Sequence, residues 1–189
     1  MTDEFTRTFE NHWNEFRARW CDSTDLGGAR AYSREEVKAV MFHRVARVDV
    51  AGEEADRLID AAVRFFREKQ YDCLFTLSPL DRPADMAERL EQRGFELALL
   101  PVAMLCDRLA GPDSAEGVEV EIAGAGRYGT WAEIMCTCFG NPPEVVEVGR
   151  SVLCVPEVRL YLASRRGEPA GTALLYSRNG IGYIDAVGT

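Results

Sequence analysis

Gly124-Ala-Gly126-Arg-Tyr-Gly129 is the one run whose spacing matches a known chemical device. Glycines at these intervals, opening a helix after a strand, let backbone N–H groups approach a pyrophosphate. The surroundings argue otherwise. A dinucleotide fold needs a parallel βαβ unit with an acid about 20 residues further on, whereas this interval holds Pro142-Pro143 and helical spacing, and the preceding strand carries Glu119 and Glu121. Coincidence is the better account, and dinucleotide binding through Gly124, Gly126 and Gly129 stays as a weaker alternative. Other constellations are thinner still. His12 and His43 are too isolated to share a metal, so no metal site is expected, and two histidines do not assemble a Ser-His-Asp or Cys-His set.

The elements that would carry any site follow from periodicity. Phe9, Trp13, Phe16 and Trp20 fall at steps of three or four, which predicts a helix from Phe5 to Trp20 with one apolar stripe. Cys21 to Ser33, with Gly27-Gly28, reads as a loop, and the latter part of Val37 to Val50 as a strand. Ala55, Leu58, Ile59, Ala62, Val63 and Phe66 mark a second helix between Gly52 and Lys69. Cys73 to Leu77 has strand length. Asp81 is an N-cap candidate, with Pro83 in the first turn of a helix that turns Met86, Ala87 and Leu90 inward and ends at Gly94. Phe95 to Leu109 reads as a strand bent at Pro101.

The polar, turn-rich stretch from Ala110 to Gly117 is the best boundary, giving a first sub-domain over 1–110, a linker at 111–117 and a second part over 118–189. In that second part, Val118 to Ala123 alternates as a strand with one wet face. A helix from Tyr128 to Phe139 is broken at Asn141-Pro142-Pro143, and another runs from Glu144 to about Cys154. Val158 to Ser164, Ala170 to Tyr176 and Ile181 to Thr189 then form an antiparallel meander, with Asn179-Gly180 as a type I′ turn. The fold class is mixed α/β.

Composition narrows the partners. The 189 residues carry a formal charge of −9 with no long basic run, which argues against nucleic-acid binding through phosphates. No window approaches the roughly 20 apolar residues of a membrane span, and the start lacks a signal-peptide pattern, so a cytoplasmic protein is expected. Cys21, Cys73, Cys106, Cys136, Cys138 and Cys154 lack C-x-x-C spacing and read as reduced core thiols.

From Val118 onward the ordered phrases Phe139-Gly140-x-Pro142, Val158-Arg-Leu-Tyr-Leu-Ala-Ser, Gly167-Glu-Pro-Ala-Gly171-Thr and Ile184-Asp-Ala-Val-Gly-Thr resemble the first half of the GNAT family of acetyl-CoA-dependent N-acyltransferases. The N-terminal part, with Arg93-Gly94-Phe95, resembles the degenerate first domain of two-domain members. The resemblance implies a mostly antiparallel sheet flanked by helices, incomplete at its C-terminal side and preceded by a smaller α/β sub-domain. It implies acetyl transfer from acetyl-CoA to an amine, a small molecule or a peptide. Val187, Gly188 and Thr189 would lie nearest the thioester, Phe139, Gly140, Asn141 and Tyr183 would line the acceptor cleft, and Asp185, in phase with Tyr183 and Val187, would be the base or hold a water. As an alternative, Asp185 is simply a solvent-facing strand carboxylate. The family's R/Q-x-x-G-x-G/A pyrophosphate loop has no copy in residues 1–189, so this polypeptide alone is expected to bind acetyl-CoA poorly and turn over little. A non-catalytic GNAT-like binding or scaffold module is the competing class. The last strand, left as an edge, would also allow a homodimer.

Overall fold

A computed structural model describes residues 3–108, 111 and 116–189. Most of the boundary expected at 111–117, and Leu109, lie outside the described residues. The amphipathic start forms helix α1 (Asp3–Arg17), followed by strands β1 (Asp22–Asp25) and β2 (Arg30–Ser33), a 3-10 turn (Val40–Phe42) and β3 (Arg44–Ala46). Then come α2 (Ala55–Glu68), β4 (Leu74–Phe75) and α3 (Met86–Gln92). The first sheet has the order β1-β2-β3-β4, antiparallel except for the parallel β3–β4 pair. Its core gathers Ala31, Val45 and Val48 with Leu58, Ile59, Ala62 and Phe66 of α2 and Met86 and Leu90 of α3.

Four expectations for this part need correction. The stretch read as a loop from Cys21 to Ser33 is a β-hairpin: Gly27 and Gly28 are its turn, with φ of 75° and 114°, and its first strand, Asp22-Ser-Thr-Asp, is exposed at every position and so shows no apolar alternation. Asp81 does not cap a helix. Its carboxylate accepts the Ser78 N–H at 2.9 Å, and α3 starts later, after Asp85. Ala87 is exposed, leaving Met86 and Leu90 as the inward pair. Residues 95–106 form no strand, because none among the described residues pairs with them, and Leu97, Leu99, Leu100, Val102, Met104 and Leu105 stand in solvent.

Burial lifts the Asp81 carboxyl to about 6, with Glu10 and Asp49 adding repulsion and the Ser78 N–H opposing it. A carboxyl raised above its unfolded value of about 3.9 binds its proton more tightly when folded. Its favourable contribution is therefore full below about pH 4 and lost as pH rises through about 6. Asp81→Asn keeps an acceptor for Ser78 without the charge. We expect it to raise the melting temperature at pH 7.5 and to change it little at pH 4, measured by thermal unfolding at both pH values.

The second part contains β5 (Val118–Ile122), α4 (Tyr128–Phe139), α5 (Glu144–Gly149), a 3-10 segment (Arg150–Cys154), β6 (Val158–Arg165), β7 (Glu168–Arg178) and β8 (Ile181–Gly188). The sheet is an antiparallel meander, β5-β6-β7-β8. Asn179 and Gly180 both take positive φ, 53° and 76°, as a type I′ turn requires. Helix α4 ends on Gly140 in the left-handed region, φ 63°, whose N–H returns to the Cys136 carbonyl. It is held to the sheet by Trp131, whose indole N–H donates to the Ala173 carbonyl at 3.2 Å. Leu160, Leu162, Leu174 and Tyr176 meet Trp131, Ala132 and Met135 on this covered face.

Helix α1 also packs on this second sheet. Phe16 is buried 5.2 Å from the Tyr176 ring and 5.9 Å from that of Tyr183, and the His12 ring lies 4.7 Å from Tyr176. The opposite sheet face stays open. Val120 and Ile122, expected as the dry side of β5, are exposed, as is Ile184; β5 is therefore wet on both faces, since no described element lies over it. Cys21 and Cys136 are buried as expected, but Cys106, Cys138 and Cys154 are exposed, and all six thiols are free. Among the described residues no helix is long and apolar enough to cross a membrane.

Candidate active site

Strand β8 carries one residue more than its partner. Leu174 faces Asp185 and Thr172 faces Gly188, so three steps along β8 match two along β7. The extra residue is Ala186, in the left-handed region at φ 51°. A bulge of this kind bends the strand and re-aims the side chains beyond it. Two side chains fix it: Asp185 Oδ1 accepts the Ala186 N–H at 2.7 Å, and the Thr172 hydroxyl donates to the Ala186 carbonyl at 3.0 Å.

The bulge corrects the expected phase of the strand. Tyr183 and Asp185 share the helix-covered face, but Val187 turns to the open face and is 60% exposed. Asp185 is half-buried rather than solvent-facing, and its Oδ2 accepts the Tyr183 hydroxyl at 3.0 Å. Burial first, then the charge of Asp185, pushes the Tyr183 hydroxyl well above its ordinary range, so it stays protonated and acts as a donor.

Beyond the bulge, Gly188 lies against the end of α4. A Cβ at this position would come within 2.8 Å of Cys138 Cβ and 2.9 Å of its Sγ. The Cys138 thiol donates to the Thr189 carbonyl at 3.5 Å, and Glu133, Ile134, Thr137, Cys138 and Thr189 line a shallow hollow. Phe139, half exposed, is beside Gly188. Gly140 caps the helix, while Asn141 turns back, its N–H on the Cys136 carbonyl and its side-chain amide on Met135 Sδ at 3.4 Å.

Of the residues expected around the site, Tyr183 and Asp185 lie on β8 toward α1, Gly188 and Thr189 meet the end of α4 near Phe139 and its cap Gly140, Val187 turns to the open face and the Asn141 side chain turns to Met135. The other edge of β8 pairs with no described strand. Gly124, Gly126 and Gly129 each have open space where a Cβ would go, and the strand before them pairs antiparallel. Sequence reasoning passed over Thr172 and Cys138, which give no signal by type, and Arg17 and Arg44. Arg17 is discoverable in principle, four residues after Trp13 and three before Trp20, on the helix face read only as an apolar stripe.

No protein-family model and no curated protein matches the chain. Among solved structures it is similar to a GCN5-related N-acetyltransferase from Kribbella flavida, with a TM-score of 0.76 over 97% of this chain and 72% of that one, at 16% identity. The fold is that of the GCN5-related N-acetyltransferases. A second likeness, to a functionally unknown conserved protein from Staphylococcus epidermidis ATCC 12228, has a TM-score of 0.55 at 10% identity and covers 89% of this chain and 71% of that one. In the GNAT fold of this chain, the bulged β8 sits at the meander's edge, flanked by α1 and α4.

Proposed function

We propose that the chain is built for acetyl transfer from acetyl-CoA to an amine, with β8 as the strand along which the thioester lies. The observation that carries this reading is the bulge at Ala186 on an edge strand of a GNAT fold. An edge strand offers backbone groups to an extended partner, and the pantetheine arm, with its two amides, can add to the edge as a further strand would. Gly188 keeps the backbone clear of side chains where the strand meets α4.

Acetyl-CoA supplies the activated acyl group. The chain's own residues position the amine and take its proton. Asp185 is the acceptor of that proton, directly or through one water, and the hydrogen bonds from Tyr183 and the Ala186 N–H hold its carboxylate in place. As the nitrogen bonds to the acyl carbon, the C–S bond breaks and sulfur leaves with the electron pair; charge developing on the acyl oxygen calls for a backbone N–H donor near the bulge. Phe139 and Gly140 would border the acceptor's entry.

The R/Q-x-x-G-x-G/A loop is not among residues 1–189, and without its amides a pyrophosphate lacks its main anchor. For the 1–189 polypeptide assayed alone we therefore expect affinity for acetyl-CoA weaker than low micromolar by isothermal titration. We also expect millimolar acetyl-CoA to shift backbone NMR resonances of residues 184–189 before any others. Low-micromolar affinity would overturn the first expectation, and unmoved resonances on β8 would overturn the proposed function.

A further inference from the structure

Arg17 is a buried cation with no counter-charge. Its residue is only 7% exposed, it forms no ion pair among the described residues, and its Nε has no hydrogen-bond partner. The guanidinium is held between two indoles, 4.9 Å from the ring of Trp13 and 4.9 Å from that of Trp20. Its Nη1 reaches the Met41 carbonyl only at a long 3.5 Å. The Trp20 indole N–H is buried and unpartnered as well.

Arg44 joins it. Its guanidinium lies 5.3 Å from the Trp13 ring and donates from Nε to the Met41 carbonyl at 2.9 Å, again without an ion-pair partner among the described residues. Burial, and next the charge of Arg17, lower its pKa to about 9, so it remains protonated at neutral pH. Close by, Phe16 of α1 lies 5.9 Å from both the Trp20 ring and the Tyr183 ring, and the Tyr183 hydroxyl donates to Asp185. Asp185 is a carboxylate whose charge acts on Arg44.

Leaving a buried cation and two buried donors unmatched is costly unless something completes them. Cation–π contacts favour the guanidinium over the indole but supply neither a hydrogen-bond acceptor nor a negative charge. Neither guanidinium forms an ion pair among the described residues, so the pair carries positive charge that an anion would balance. Arginine forks match a carboxylate in geometry. Arg44 and Trp13 are only half-buried, so the cluster is approached from their side.

We infer that Arg17 and Arg44, set on Trp13 and Trp20, form a carboxylate subsite beside Asp185. The acceptor is then a small amine that also carries a carboxylate, its nitrogen toward Asp185 and its acid toward the arginines. The acceptor role rests on the proposed acetyl transfer; the anion site does not.

The test is a titration of the whole chain with butyrate, butylamine and inorganic phosphate, followed by tryptophan emission, since two of the three tryptophans belong to the cluster. Butyrate is expected to saturate and butylamine to leave the signal flat. Arg44→Gln should weaken butyrate about tenfold, the size of one charge-assisted hydrogen bond, and Arg44→Lys should restore part of the loss. The comparison of butyrate with butylamine in the unaltered chain needs no variant to fold. A flat response to butyrate, or an unchanged affinity in Arg44→Gln, overturns the subsite, and saturation by phosphate but not butyrate overturns its carboxylate selectivity. If butyrate saturates while acetyl-CoA leaves β8 unmoved, the anion site stands and the enzymatic reading falls; if acetyl-CoA engages β8 and butyrate stays flat, the reverse holds.

Discussion

Gly188→Val is expected to destabilise the chain by about 1–3 kcal/mol, the usual cost of forcing extra carbon into a packed site, and to remove the response of β8 to acetyl-CoA. A Cβ there would overlap both Cβ and Sγ of Cys138, and a helix backbone at its capped end cannot retreat cheaply. At about 2–4 °C per kcal/mol for a chain of this size, the melting temperature should fall by several degrees. Gly182→Ala is the control, because its new methyl meets only Leu175 Cδ1, at 3.1 Å, the far end of a side chain that can rotate. Pairing Gly188→Ala with Cys138→Gly should recover part of the loss of the single glycine substitution, a coupling that a double-mutant cycle reads directly. Equal melting temperatures for Gly188→Val and the unaltered chain would show that β8 does not lie against α4.

Phe16→Ala is expected to cost more, about 3–5 kcal/mol, as large aromatic truncations in a core do. Phe16 is buried and touches Trp20, Tyr176 and Tyr183, so its removal empties the junction of α1 with β7 and β8. The structure predicts a specific signature besides the lower melting temperature: α1 becomes susceptible to limited proteolysis, and the environment of Tyr183 changes although it lies far along the sequence. Loss of stability with α1 still protected would mean that the helix is anchored elsewhere.

The meander was legible in the sequence because its signals are local. Alternation in β6 and the Asn179-Gly180 dipeptide specify strand, turn and direction without outside help. The α2 face was legible for the same reason, since its buried residues recur at helical spacing. The hairpin at 22–33 was hidden because an exposed edge strand of Asp, Ser and Thr has no apolar side to reveal it. Residues 97–105 misled in the other direction: apolar content predicts a strand, but a strand exists only where a partner supplies hydrogen bonds.

The strand that carries the candidate residues was legible, but its phase was not. Tyr183, Asp185 and Gly188 lie on one strand as expected, yet the position that breaks its alternation is an alanine, and no residue type there announces left-handed backbone. The bulge depends on Thr172, fourteen residues earlier in the chain, through a hydrogen bond that only the folded register creates. Arg17 shows a similar limit. A charged residue inside an aromatic stripe looks like an interruption until Arg44 arrives beside it from another element.

Because of the bulge, the two ends of one strand answer to different neighbours: Tyr183 is in register with α1 residues some 170 positions away, and Gly188 with the tip of α4. Helix 3–17 and strand 181–188 are thus a matched pair, and a chimera that inherits one from a distant relative without the other would bring together surfaces shaped for different mates. Engineering of this end of the sheet would have to treat them as a single cassette.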